Sequence, residues 1–273
     1  MTRGLERSWS MLRVERAGSG DGDLLWVTLE NAAKANALSA PLVREITELY
    51  SLDLRAEGVR AVLLRGAGRH FSAGADLAHL ESLKSAGPEE NLRDSGAIRD
   101  LFAAILYQPA LTVAAVHGSC VAGGCGVATA HDYVVAEEGA RFMYSEARIG
   151  FVPALVATFL PLRVRGRDLR ELLLDPQFLG ASEAQAIGLV NRVVPAGQQD
   201  AAAERLAAGI LERGSSESIA RTKALLLDSL GLPLEEALDR AARANAQSRE
   251  TADCRRGIAT FLETKRAPTW RIG

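Results

Sequence analysis

The stretch Val113-Ala114-Ala115-Val116, His117-Gly118-Ser119-Cys120-Val121-Ala122-Gly123-Gly124-Cys125-Gly126, Val127-Ala128-Thr129-Ala130-His131-Asp132 decides the fold. Its first part is short, uncharged and made of small and β-branched residues, which suits a strand buried on both faces. Its last part is Ala-rich and suits a helix packed closely on its neighbours. Between them fall the glycines Gly118, Gly123, Gly124 and Gly126. A strand that turns sharply into a helix presents backbone N–H groups with partial positive charge at the helix start. Glycine there lets a ligand come close to the backbone. Two readings follow from the stretch itself: a tight turn with close helix–strand packing, or a site for an oxyanion or a phosphate.

Outward from this centre, the upstream chain alternates strands and helices. Leu12 to Arg16 and Leu24 to Glu30 read as strands, with Gly18 to Asp23 as a hairpin turn. Asn31 to Leu38 is a loop of small residues; Ser39 and Pro41 then suit the cap and first turn of a helix. Arg60 to Arg65 is a third strand, followed by a second glycine loop, Gly66-Ala67-Gly68-Arg69-His70-Phe71-Ser72-Ala73-Gly74-Ala75-Asp76-Leu77, with Asp76 placed to cap a helix. Gly66-x-Gly68 lacks the third glycine of a dinucleotide fingerprint. One or two helices follow to Gln108, broken at Gly87-Pro88.

Downstream, Tyr133 to Ala136 is a further buried strand, and Glu137-Glu138-Gly139 a turn. Glu146 then stands among apolar and aromatic residues in Phe142-Met143-Tyr144-Ser145-Glu146-Ala147-Arg148-Ile149-Gly150-Phe151. It is either a surface carboxylate paired with Arg148 or a partly desolvated acid/base group with a raised pKa. Helices are expected at Leu155 to Leu162 and Leu169 to Leu174, a capping box at Ser182-Glu183-Ala184-Gln185, and a short strand at Asn191 to Pro195. From Gln198 strands disappear, and Ala201 to Arg213, Ser218 to Leu230, Leu234 to Glu250 and a last turn or two at Cys254 to Leu262 read as helices. The pattern is that of an α/β core, residues 1–197, with a helical region, 198–273.

Composition narrows the function. The chain has 273 residues, 48% hydrophobic and 24% charged, enough for a sizeable core. A net charge of −2 with scattered Lys and Arg argues against nucleic acid as partner. The N-terminus lacks the apolar segment of a signal peptide, and no run approaches the about 20 apolar residues of a membrane helix. The three cysteines Cys120, Cys125 and Cys254 read as reduced, small core residues of a cytoplasmic protein, and the C-x4-C spacing is a weak metal signal, so no metal site is expected.

These motifs together carry a resemblance. Asn36-Ala37-Leu38, Phe71 to Leu77, Ala114-Ala115-Val116-His117-Gly118, Gly123-Gly124, Asp132, Ser145 to Gly150, Ala186 to Val190 and Gly257 to Arg266 resemble the crotonase (enoyl-CoA hydratase/isomerase) family from end to end. The resemblance implies a spiral of ββα units, C-terminal helices that build a homotrimer or dimer of trimers, and an acyl-CoA substrate, with coenzyme A part of the substrate and no separate cofactor. It implies that the backbone N–H groups of Ala75 and Gly123 hold the thioester oxygen, and that Lys34, Ala37, Ala73, Asp76 and Leu77 lie where relatives hold the nucleotide end of coenzyme A. It makes Glu146 the catalytic carboxylate.

One position departs from the family pattern. Family hydratases carry a second glutamate where this chain has Gly126. The surroundings of Glu146 most resemble bacterial methylglutaconyl-CoA hydratase-like members. Water addition to a 2-enoyl-CoA is therefore the first expectation, single-glutamate enoyl-CoA isomerisation the second, and decarboxylation of a CoA thioester the third. A catalytically weak acyl-CoA-binding homologue is the non-enzymatic alternative. Glycine early in a helix costs roughly 0.5–1 kcal/mol relative to alanine, so Gly126 is expected to leave room beside the reacting carbons for a water or a branched acyl group.

Overall fold

The computed structural model describes residues 4, 5, 7–17 and 23–270. The hairpin turn expected at Gly18 to Asp23 falls, but for Asp23, outside the described residues. Its two arms are strands β1 (Leu12–Ala17) and β2 (Leu24–Leu29), paired antiparallel with Ala17 opposite Leu24. To β2 are added, all parallel, β3 (Ala61–Gly66), β4 (Leu111–Val116), β6 (Tyr133–Glu137) and β9 (Arg192–Val194), which completes a six-stranded sheet in the order β1-β2-β3-β4-β6-β9.

The period of two along these strands explains why they read as continuous apolar runs. Val27, Val62, Leu64, Ala114, Val116, Val134 and Ala136 face one core, packed with α1 (Ala40–Tyr50), α3 (Pro88–Tyr107) and α4 (Gly123–Ala130). Trp26, Leu63, Val113, Ala115 and Val135 face a second, closed by Ala202, Ala203, Leu206, Ala207 and Leu211 of α8 (Gln199–Arg213). Both faces are covered, so neither set can be polar.

The central stretch is more elaborate than a strand turning into a helix. After β4 the chain passes Gly118, at φ 57°, and forms a short strand β5 (Ser119–Val121) before α4 begins. With β7 (Arg141–Met143) and β8 (Leu179–Gly180), β5 makes a second sheet in the order β5-β7-β8. A left-handed residue reverses the chain out of one sheet and into another, and hydropathy carries no trace of that reversal.

Most helix starts follow the sequence. Ser39 occupies the N-cap of α1, but its hydroxyl is buried without a partner, and Pro41 sits in the first turn. Asp76 caps α2 (Leu77–Leu83) by accepting the Ala78 N–H at 2.9 Å, and Pro88 opens α3. The helix expected over 155–162 is a short α5 (Val156–Phe159) running into a 3-10 turn, Leu160–Leu162; α6 is Gly166–Leu174. The capping box shifts by two residues: α7 (Ala181–Ala186) starts after Gly180, whose N–H donates to the Glu183 carboxylate at 2.8 Å.

The last helices are α9 (Ser216–Asp228), α10 (Leu234–Ser248) and α11 (Ala252–Thr264). Helix α11 is longer than expected because the Thr251 side chain caps it early, accepting the Cys254 N–H at 3.2 Å. Lys223 fastens α9 to the core, donating to Ala110 O at 2.7 Å and pairing with Asp132 at 2.6 Å. Helices α10 and α11 bury no residue and expose Leu234, Leu238, Ile258, Phe261 and Leu262. Among the described residues no helix is long and apolar enough to cross a membrane.

Candidate active site

The two glycine loops lie side by side. Ser72 N–H donates to Ser119 O at 3.3 Å, and Val121 N–H donates to Ser72 O at 3.0 Å. The approach is too close for side chains: a Cβ on Gly124 would lie 2.7 Å from the Ser72 Cβ. One on Gly74, at φ 86°, would lie 2.8 Å from Val121 O. The tight-packing reading therefore holds for these glycines. Leu38 touches both loops. Its N–H donates to Gly74 O at 2.7 Å, and its Cδ1 lies 3.0 Å from where a Cβ on Gly123 would be.

This pairing brings Ala75 and Gly123 into one neighbourhood. Ala75 is exposed, and no hydrogen bond from its amide is found among the described residues. In α4 the first intrahelical bond runs from Gly126 N–H to Ala122 O at 3.1 Å, so the Gly123, Gly124 and Cys125 amides precede it. Such amides are the orphan donors of a helix start, on the positive end of its dipole.

Glu146 opens a 3-10 turn, Glu146–Ile149, shortly after β7, and Gly150 at φ 76° closes it. The end of β7, three residues before Glu146, is tied to the start of α4 through Ala122 N–H, which donates to Met143 O at 2.7 Å. Glu146 is half-buried, its Oε2 is buried without a hydrogen-bond partner, and no ion pair with Arg148 is found among the described residues. Burial pushes its pKa above the usual carboxylate value, opposed by a hydrogen bond from its own backbone. The geometry therefore favours the acid/base reading over the surface pair.

Gly126 leaves no room, contrary to expectation. A Cβ there would stand 2.5 Å from Phe102 Cζ and 2.9 Å from Val156 Cγ1. Phe102, from α3, holds its ring edge-on to Phe159 with centroids 5.4 Å apart. The position of the family's second carboxylate is filled by apolar side chains. Buried hydrogen bonds hold α4 from its other sides. Thr129 Oγ1 donates to Cys125 O at 2.7 Å and lies 3.1 Å from the Tyr144 hydroxyl. His131 bridges Val127 O at 2.8 Å and the Tyr50 hydroxyl at 2.7 Å, and burial lowers its pKa to about 3.

The residues expected around the coenzyme fall on one loop pair. Lys34 Nζ lies 2.9 Å from Asp76 Oδ2; Lys34 is 59% exposed and Asp76 8%. The lysine, with the Ala78 N–H, holds the Asp76 carboxyl below its usual range. Ala73 is exposed and its N–H donates to Ala35 O at 2.8 Å, whereas Ala37 is buried. Leu77 opens α2, with its side chain outside the described residues.

Sequence reasoning gave no role to Asn36. Fully buried at φ 52°, it donates from Nδ2 to Ala67 O and His70 O at 2.9 Å and to Phe71 O at 3.1 Å, locking the two loops together. Its signal was an asparagine among alanines, the residue type that tolerates the left-handed region. Phe102 left no such signal, because it reaches the site from a distant helix.

The family model for enoyl-CoA hydratase/isomerase matches residues 20–272. A Thermus thermophilus protein assigned as an enoyl-CoA hydratase is 43% identical over 259 residues, covering 94% of this chain and 99% of that protein. The human mitochondrial Delta(3,5)-Delta(2,4)-dienoyl-CoA isomerase is 31% identical over 276 residues, covering 97% of this chain and 83% of its own. Among solved structures, an enoyl-CoA hydratase of Mycobacterium smegmatis superposes with a TM-score of 0.86 at 29% identity, over 95% of this chain and 98% of that one. Sequence, spiral core and paired glycine loops agree, and the chain belongs to the enoyl-CoA hydratase/isomerase family.

Proposed function

We propose that the protein is an enoyl-CoA hydratase that adds water to a 2-enoyl-CoA with Glu146 as its single carboxylate. The observation that carries this reading is the half-buried Glu146 with its unpartnered Oε2, shortly after a strand whose end is tied to the start of α4. As water adds to C3 of the substrate, negative charge grows on the thioester oxygen. The N–H groups of Ala75 and Gly123 stabilise it, because they are fixed before the reaction begins. Ionised Glu146 accepts a proton from the attacking water while the C3–O bond forms. Protonated Glu146 then delivers a proton to C2 as the enolate collapses, and the carboxylate is regenerated. Lys34, Ala73, Asp76 and the Leu77 backbone receive the nucleotide end of the coenzyme, with Ala37 beneath them. A branched 3-methylglutaconyl-type acyl group is the substrate suggested by the residues around Glu146.

A second reading rests on Phe102 and Val156. Because they occupy the space at Gly126, the site presents one acid. One acid suffices to move a double bond by taking a proton from C2 of a 3-enoyl-CoA and returning it at C4. In either reading Glu146→Gln lowers kcat by ~10²-fold or more with the fold retained, as steady-state kinetics and circular dichroism together would show. Near wild-type turnover in this variant would place the chemistry elsewhere. The free cysteines and the family's habit suggest a cytoplasmic enzyme, assembled as a trimer or a dimer of trimers.

A further inference from the structure

We propose that Ala122 is a positioning residue whose strained backbone and methyl group set both oxyanion amides at once. The inference rests on the reading of Ala75 and Gly123 N–H as the donors to the thioester oxygen. Ala122 is the N-cap of α4, at φ 46° and ψ −123°. By contrast, Ala35 at φ 49° and ψ 40° and Lys265 at φ 58° and ψ 21° lie in the ordinary left-handed basin. The ψ of Ala122 lies outside that basin, in a region where a side-chain-bearing residue persists only when its surroundings over-determine it.

Three contacts do so. Its N–H donates to Met143 O at 2.7 Å, and its C=O accepts from Gly126 N–H at 3.1 Å. Its Cβ lies 3.0 Å from where a Cβ on Gly74 would be, so the methyl rests against the residue before Ala75. Each contact has a consequence at the site. The ψ angle of Ala122 fixes the plane of the peptide that carries Gly123 N–H, and relaxing it turns that donor away. The methyl braces the Gly74–Ala75 peptide, which carries the second donor. The bond to Met143 fastens both to the segment that leads into Glu146. Removing the methyl takes away the brace and the strain together, and leaves the two backbone bonds alone to hold the peptide.

The test compares Ala122→Gly and Ala122→Ser with wild type. Glycine accepts this backbone without strain, so the Tm of Ala122→Gly is expected to hold or rise. Its kcat for an enoyl-CoA is expected to fall by about tenfold or more with little change in KM, the pattern of a lost transition-state interaction. Ala122→Ser keeps the Cβ and is expected to lose less. Backbone 15N relaxation without substrate gives a second readout: Ala122→Gly lowers the order parameters of both the Ala75 and Gly123 amides. Unchanged order at Ala75, or a kcat loss that merely tracks a lower Tm, overturns the proposal. If wild type turns over no enoyl-CoA, the hydratase reading fails, and the relaxation data alone decide the role of Ala122.

Discussion

Glu146 and Gly126 carry opposite lessons about single residues. Glu146 is held where its charge is poorly solvated, so its pKa rises. If the ionised form is the one that accepts a proton, kcat/KM falls as pH drops through an apparent pKa above the ordinary 4.5 of a glutamate. A pH profile checks this, and Glu146→Gln removes the acid limb. The same shift has a stability consequence of fixed sign. The folded carboxyl binds its proton more tightly than the unfolded one, so stability present at low pH is lost as pH rises through the folded pKa. At pH 7 Glu146→Gln is therefore expected to have a Tm no lower than wild type. At Gly126, restoring the family's carboxylate meets the Phe102 ring at 2.5 Å. Overpacking of this kind typically costs about 1–3 kcal/mol, so Gly126→Glu is expected to lower the Tm. Adding Phe102→Ala is expected to recover part of the loss in a double-mutant cycle; strictly additive losses would show that the ring is not the obstacle.

At the scale of elements, the proposed active site is built on α4 and the loop Phe71 to Leu77 beside it. Gly123 starts α4, where proline is well tolerated. Its added carbons would meet the end of the Leu38 side chain. Gly123→Pro therefore deletes one donor, at the cost of disturbing Ala122 before it, and in a folded variant about 3 kcal/mol of transition-state stabilisation is expected to be lost. A folded variant with unchanged kcat/KM would remove Gly123 from the mechanism. The strands and most helices were legible because both faces of the main sheet are buried and the caps follow local rules, as at Asp76 and Pro88. Strands β5, β7 and β8 were not, because strands of two or three residues leave no period to read. The capping box was misplaced by two residues because Gly180 caps by conformation and offers no side chain. The proposal of Glu146, Ala75 and Gly123 as site residues rests on motif resemblance. Phe102 was not legible, since its role depends on how α3 packs on α4.

At the scale of the whole molecule, two groups stand out among the exposed apolar side chains of the described residues. Leu234, Leu238, Ile258, Phe261 and Leu262 line the C-terminal helices, and Ile149, Phe151 and Val152 follow Glu146. Exposed apolar side chains of this kind suit protein–protein contact, and a trimer or a dimer of trimers is the assembly expected from them. Light scattering at micromolar concentration is expected to give a mass of three or six chains, and a monomer would contradict that assembly. The central claim, one carboxylate facing two fixed amides, is tested most directly by following wild-type enzyme on a 2-enoyl-CoA and its 3-enoyl isomer, by loss of the conjugated thioester absorbance and by product mass. The expected result is a 3-hydroxyacyl-CoA heavier than the 2-enoyl substrate by one water, formed quickly by wild type and at least ~10²-fold more slowly by Glu146→Gln. Double-bond migration without water addition would contradict the hydratase assignment, and equal rates in wild type and Glu146→Gln would contradict the single-carboxylate site itself.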